Sequence, residues 1–324
     1  MKRQRGVALI TAVLMVSLAT VAAVAMATRQ QLDLRRTGNL LHGEQAWAYV
    51  LGAESWARVI LARDLSQNKT DSGQDDWATQ VPAAFVEGGS VAGRVVDLQG
   101  RFNLNSLVDA QGLAVPAAIA RFKRLLQVLD ISETLANALV DWLDKNVDVT
   151  FPDGAEDNAY LLLNPPYRAA NRPLGSVSEL RLVQGFSAEV VDKLRPFVCA
   201  LPTAAGAVNV NTAPAEVLRT LAANLSETDG EALLAAREQG VFDDVARFLA
   251  LAPLAGKEVD TDSVSVASQW FRLVAEASVG QGYAALTSLF QRTPQATRVV
   301  RRERLLQEPV TAPVPADAAP PAGG

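Results

Sequence analysis

The chain has 324 residues, 49% hydrophobic and 20% charged, with a formal net charge of −5 and a pI near 5.1. That acidic balance disfavours nucleic acid as a partner, since phosphate binding draws on a basic face that releases counterions. A single cysteine, Cys199, excludes an intramolecular disulfide, and with a single histidine, His42, it leaves too few soft ligands for a Cys/His zinc site.

The N-terminus reads Met-Lys-Arg-Gln-Arg-Gly and then runs from Val7 to Thr28 without a charge, 22 residues in all. About 20 apolar residues span a bilayer as a helix, the form that satisfies its own backbone there. Lys2, Arg3 and Arg5 vote for a cytoplasmic leader, and Arg29, Arg35 and Arg36 blunt that vote. The alternative is a cleaved secretory signal, for which Ala25-Met26-Ala27 offers a small-x-small site; such signals carry a shorter apolar region, about 7–15 residues. Beyond the apolar run, Ala46, Tyr49, Val50, Ala53, Trp56, Ala57, Ile60 and Leu61 recur at spacings of three and four, and no proline precedes Pro82. The pattern predicts one helix from Val7 to about Leu65, roughly 90 Å long at 1.5 Å per residue. His42 then sits on that helix as a solvated or packed residue, which leaves a Ser-His-Asp triad without its base.

A polar loop, Ser66 to Asp76, leads to a stretch from Ser90 to Asn105 that alternates like a strand pair. Arg101-Phe-Asn-Leu-Asn-Ser106 comes next, and a near-copy, Ala207-Val-Asn-Val-Asn-Thr212, stands further on. Helical stretches are predicted after each copy, Ala117 to Leu129 and Ala215 to Leu225, and each unit later carries a cap-like helix start, at Ser176 and at Asp243-Asp244. Two units, Asn103 to about Leu201 and Asn209 to about Leu254, form an internal repeat. The second is similar to helix-hairpin-helix modules, many of which grip DNA backbones at helix N-termini. Its hairpin, Asn224-Leu-Ser-Glu-Thr-Asp-Gly230, holds two acids and no base and would repel phosphate. Short strand-like runs close the pattern: Ser263 to Ala275, Tyr283 to Gln291 and Thr297 to Leu305, with Gly280 and Gly282 marking a turn. A Pro/Ala-rich tail from Gln307 is expected to be disordered.

Between Asp141 and Asp157 lie Asp141, Asp144, Asp148, Asp153, Glu156 and Asp157, against Lys145 alone. Such a density suits a hard cation, which takes six to eight oxygens. Asp144, Asn146 and Asp148 match the first ligand positions of an EF-hand, but Val149 and Ala155 stand where its glycine and glutamate belong. A looser calcium loop and a solvated acidic loop both remain open. A catalytic carboxylate pair lacks an accompanying histidine.

The basic leader ending in Gly6 directly before Val7-Ala-Leu-Ile resembles the class III signal of type IV pilins and pseudopilins. The resemblance implies cleavage after Gly6 by a prepilin peptidase, methylation of Val7, and retention of the apolar run. Most pilins carry a glutamate five residues into the mature chain, where this sequence has Thr11. That exception, the duplicated Asn-x-Asn units and the acidic loop resemble the protein K family of type II secretion minor pseudopilins. This second resemblance implies an α+β fold: a long N-terminal transmembrane and amphipathic helix, and a small antiparallel pseudopilin β-core. Into that core is inserted a large helical domain of two SAM-like units. The expected organisation is a leader at 1–6, a transmembrane helix at 7–28, a periplasmic stem at 29–65 and the first part of the β-core at 66–102. The helical units come after it at 103–203, with the acidic loop, and at 204–258; the rest of the core at 259–306 and the tail at 307–324 complete the chain. The resemblance further implies a structural subunit of the bacterial inner membrane and not an enzyme, seated at the tip of a short pseudopilus that exports folded proteins. Its partners would be minor pseudopilins I and J, with H a further candidate, the major pseudopilin, and through the assembly the secretin and exported substrates. Calcium would be held among Asp144, Asp148, Asp153, Glu156 and Asp157. Two rival functions are a membrane-tethered DNA-binding protein and a secreted hydrolase using the acidic loop.

Overall fold

The computed structural model describes residues 4–79 and 81–305. The first three leader residues and the tail at 307–324 lie outside the described residues. In chain order the elements are α1 (Gln4–Gln67), β1 (Val81–Val86), β2 (Gly89–Asp97), β3 (Phe102–Asn103), α2 (Pro116–Val128), α3 (Leu135–Leu143), α4 (Asp157–Tyr160), α5 (Ala188–Leu194) and β4 (Val198–Cys199). After them come β5 (Val208–Asn209), α6 (Ala215–Leu218), α7 (Glu227–Glu238), α8 (Val245–Leu249), β6 (Val264–Ser265), β7 (Trp270–Val279), β8 (Gly282–Arg292) and β9 (Thr297–Leu305).

The uninterrupted spacing of α1 gives a helix of 64 residues. Its first part is exposed on all sides; its outer part buries Ala46, Val50, Ala57, Ile60 and Leu61 against a five-stranded antiparallel sheet of order β1-β2-β7-β8-β9. Alternate residues of β7 and β8 face the helix, among them Phe271, Leu273, Ala275, Leu286 and Phe290, as a period of two requires of a half-buried strand. Each large side chain buried there is worth about 1.5–3 kcal/mol. At the end nearer the apolar run, the turn between β7 and β8 touches the helix. A Cβ on Gly282 would lie 2.3 Å from the backbone carbonyl carbon of His42, and the Gln281 N–H donates to His42 Nδ1 at 3.4 Å. His42 is thus a half-buried packing residue.

At the far end, Arg292 closes β8 and is 2% exposed. It pairs with Asp64 at 2.8 Å and with Asp71, donates to Ser268 O at 2.9 Å, and stacks 4.5 Å above Phe271. One cation therefore binds the end of α1, the loop behind it and the strand that returns to the sheet.

Residues 98–269 form an insertion between β2 and β7, which pair in unbroken register from Gly89↔Val279 to Asp97↔Phe271. The insertion leaves at the Arg292 end of the sheet. It holds two helical cores, one around Phe102, Phe122, Leu139, Trp142 and Tyr160, the other around Val210, Leu218, Leu233, Phe242 and Phe248. The two Asn-x-Asn copies do the same work in each. Asn103 Oδ1 accepts from Asn105 N at 3.2 Å, and Asn209 Oδ1 from Asn211 N at 3.0 Å. Asn105 then donates to Leu174 O at 3.0 Å and accepts from Leu174 N at 2.8 Å; Asn211 exchanges the same pair of bonds with Phe242 at 3.0 and 2.9 Å. Each unit also opens and closes on a parallel two-residue pair, β3 with β4 and β5 with β6. The repeat is one of geometry as well as of sequence.

Three local expectations are corrected. The strand pair lies at Val81–Val86 and Gly89–Asp97, not at 90–105. β1 escapes the alternation rule because it is an edge strand, where Pro82 is tolerated and Phe85 stands 94% exposed. The helix after Pro214 lasts only from Ala215 to Leu218; Thr220 bonds back to Val217 O at 2.7 Å and Asn224 turns the chain at φ 58°. The run from Ser263 to Ala275 splits into β6 and β7, because Ser268 leaves the strand path to bond Asp71 and Asp97.

Candidate functional site

Two regions carry the chemistry that the sequence singled out. The first is the start of α1, where the side chains from Val7 to Met26 find no protein to pack on; Val7, Leu14 and Met26 are 63%, 67% and 71% exposed. The helix is long and apolar enough to fit a single-pass membrane anchor with a C-terminal domain. Gly6 lies within it, one residue before Val7. Thr11 donates to Val7 O and Ala8 O of its own helix, both at 3.0 Å, so its hydroxyl needs no partner from another subunit.

The second is the acidic loop. Helix α3 is apolar on most of its surface and buries Asp141 and Asp144 with its last turn, while α4 carries Tyr160 into an edge contact with Trp142 at 5.1 Å. This packing draws Glu156, just ahead of α4, into the same pocket; Asp141, Asp144 and Glu156 are 0%, 2% and 3% exposed. Asp141 accepts from Thr150 N at 3.0 Å. Asp144 Oδ2 accepts from Asn146 Nδ2 at 2.8 Å, while Asp144 Oδ1 and both oxygens of Glu156 are buried without a partner. Gly154 must be glycine, since a Cβ there would lie 2.3 Å from Asp141 Oδ2. Burial, reinforced by Asp141, pushes the Asp144 carboxyl up to about 6. Burial, then the charges of Asp141, Asp144 and Asp157, pushes Glu156 up to about 7.

Asp157 lies at the edge, accepting from Ala169 N at 3.0 Å and facing Arg168 at 3.4 Å. Asp148 and Asp153 are exposed on the rim, the latter at φ 62°. The structure thus gathers Asp141, Asp144, Glu156 and Asp157 and leaves Asp148 and Asp153 outside. It adds Asn171, which donates to Asn146 O at 3.2 Å and whose Oδ1 is buried without a partner; a lone asparagine in a loop gives no sequence signal. Buried carboxylate oxygens with neither proton donor nor cation beside them fit a hard divalent ion.

A second acidic group, Asp64, Asp71 and Asp75, brings one oxygen each within 4.8 Å of the others. Arg292 already supplies its countercharge. The hairpin that could have faced DNA ends in an N-capping box, in which Ser226 and Asp229 occupy the first amides of α7.

Family comparison bears on both regions. A family model described as "Type II secretion system (T2SS), protein K" matches residues 100–203, and a second of the same description matches 208–267. Type II secretion system protein K of Pseudomonas aeruginosa is 37% identical over 300 residues, covering 89% of each chain. The chain belongs to the type II secretion system protein K family. The family's proteins from Aeromonas hydrophila and Klebsiella pneumoniae are each 36% identical, over 90% and 93% of this chain. A solved structure, the GspK-GspI-GspJ complex from enterotoxigenic Escherichia coli, contains a chain that superposes with a TM-score of 0.75 at 31% identity, covering 84% of this chain and 100% of that one. The role is accordingly that of a minor pseudopilin in protein transport, a component of a secretion assembly. In protein K terms, the two family matches divide the insertion between its two Asn-x-Asn units.

Proposed function

We propose that this chain caps or initiates the type II pseudopilus from its tip, anchored once in the inner membrane with its head in the periplasm. The supporting observation is the place of the insertion: it grows from the Arg292 end of the sheet, the end remote from the apolar run, where bulk obstructs no subunit below. Thr11 agrees with it, for a self-satisfied hydroxyl offers no carboxylate to the N-terminal amine of a subunit ahead. Cleavage after Gly6 by prepilin peptidase and methylation of Val7 complete the reading. So do contacts with minor pseudopilins I, J and H and the major pseudopilin, and through the tip with the secretin and exported proteins. The two helical units are read as SAM-like.

Calcium belongs to the same reading. Asp141, Asp144, Glu156 and Asp157 would hold the ion, which would neutralise carboxylates that otherwise repel one another in a buried pocket. Sedimentation of the detergent-solubilised chain with proteins I and J tests the placement. One copy of each in a discrete complex is expected; filaments built mainly from this chain, or shaft-wide labelling by a Thr11→Glu variant, would count against the tip.

A further inference from the structure

The two helical units meet across a cavity of about 630 Å³, within the range of ligand sites, about 300–1,000 Å³. Helix α2 of the first unit forms one wall with Ala117, Arg121 and Arg124, which share a face at spacings of four and three. Leu221 of the second unit and the segment from Glu258 to Ser263 form the other.

Arg121 is 7% exposed, and its bonding is lopsided. Nη1 donates to Gly206 O at 3.5 Å and to Ser263 O at 3.4 Å, both near the long limit. Nε and Nη2 are buried without a partner. Those two nitrogens carry parallel N–H bonds on one edge of the planar guanidinium, the edge that can take both oxygens of a carboxylate. No acid supplies them: among the described residues neither Arg121 nor Arg124 is in an ion pair. Arg124 gives its Nε to Thr220 O at 2.8 Å, and burial lowers it from its usual range. Burial, then the charge of Arg124, lowers Arg121 to about 10, in keeping with an uncompensated buried cation. Little holds the guanidinium in place, since its two bonds are long and its remaining contact is the Phe102 ring at 5.7 Å.

The acids of the cavity are placed differently. Asp109 is taken by the amides of Gln111 and Leu113, each at 2.9 Å. Glu258, Asp260 and Asp262 are exposed, and Asp260 turns to the Asp262 amide at 3.1 Å. The cavity is thus cationic where it is buried and anionic at its mouth. That polarity repels a phosphate dianion at the entrance and favours a ligand with a positive charge behind its carboxylate. A peptide segment with an acidic and a basic side chain close together has that form.

We propose that the cavity between the helical units binds a peptide segment of a partner protein through a side-chain carboxylate. Arg121 takes that carboxylate side-on with Nε and Nη2, while a lysine or arginine of the same segment faces Glu258 and Asp262. The occupant touches both walls, so its binding fixes one unit against the other. The inference stands apart from the tip placement.

The test titrates the full chain, in uncharged detergent, with the acetylated and amidated peptide Lys-Ala-Glu-Ala-Lys, read by calorimetry. Saturable binding at a single site is expected. Glutamine in place of the peptide's glutamate should weaken it about thirtyfold or more, as breaking a buried charge pair does. Arg121→Gln should cause the same loss, and both changes together no further loss, since they remove one contact. Ala117→Trp, at an exposed position of the same wall, should block the cavity and gives a variant independent of the buried arginine. Glu258→Gln with Asp262→Asn, both exposed, should weaken binding severalfold. Arg168→Gln with Arg172→Gln, exposed arginines of the acidic-loop region, should leave it unchanged. A peptide that does not bind, a glutamine peptide that binds as well, or binding insensitive to Ala117→Trp overturns the proposal. So does inorganic phosphate that displaces the peptide at equal concentration.

Discussion

Replacing Arg292 with methionine isolates what one buried cation does for the head. Methionine keeps most of the contact with Phe271 but leaves Asp64 and Asp71, 6% and 1% exposed, with no countercharge. Stranding buried carboxylates in this way costs about 3–5 kcal/mol. For a body of this size that corresponds to a melting temperature about 10 °C lower, at about 2–4 °C per kcal/mol. The loss should depend on pH in a defined direction. Burial already holds the Asp71 carboxyl at about 6, above its ordinary 3.8, against the pull of Arg292. A carboxyl raised in the folded state stabilises below its unfolded value, and that contribution is lost as pH rises through the folded one. Without the arginine Asp71 titrates higher still, so the deficit should be largest above pH 7 and shrink toward pH 5. Adding Asp64→Asn and Asp71→Asn should restore most of the stability. Thermal unfolding of the wild type, the single variant and the triple variant by near-UV circular dichroism measures this. A single variant as stable as wild type, or a triple variant no better than the single, would refute the account of Arg292 as the clasp between stem and insertion.

The mature protein should begin at N-methylated Val7 by intact mass, and a bulky residue for Gly6 should leave the leader attached; a mature N-terminus near residue 28 would remove the pilin reading. Calcium at a hundredfold excess over its dissociation constant should stabilise the chain by about 2.7 kcal/mol, and Asp144→Asn with Glu156→Gln should erase the shift; melting unaffected by EDTA would return the loop to a solvated role. With calcium removed, the raised Asp144 and Glu156 carboxyls should make the protein more stable at pH 5 than at pH 7.5, since their contribution disappears as pH climbs through about 6 and 7; the opposite slope would contradict their burial. Asn105→Ala and Asn211→Ala should each cost about 2–3 kcal/mol, because each strands buried backbone groups; unequal costs in chemical denaturation would show that the two units are alike in form only.

Legibility in the sequence followed the range of the interactions. The stem declared itself because Ala46, Val50, Ala57 and Leu61 repeat at helical spacing, and the duplicated asparagines because they act on their own turns first. Edge strand β1 was hidden, as one partner strand imposes little pattern on it. The acidic loop showed its charge density but not its geometry. Which acids lie inside depends on α3 and α4 closing around Trp142 and Tyr160. Arg292 gave no signal at all: its carboxylate partners lie 228 and 221 positions away in the chain. No local window contains that pairing.

The stem is fastened to the sheet along its length: His42 against the β7–β8 turn, Glu54 bonded to Ser288 and Arg302 midway, and Asp64 on Arg292 at the far end. Traction along the helix axis therefore meets these attachments in shear. They must yield together, whereas a pull across the sheet would open them one after another. The insertion leaves the sheet beyond the last stem attachment and packs back on it through Cys199 and Leu201 against Trp270 and Leu289, so it shares the load that the sheet carries.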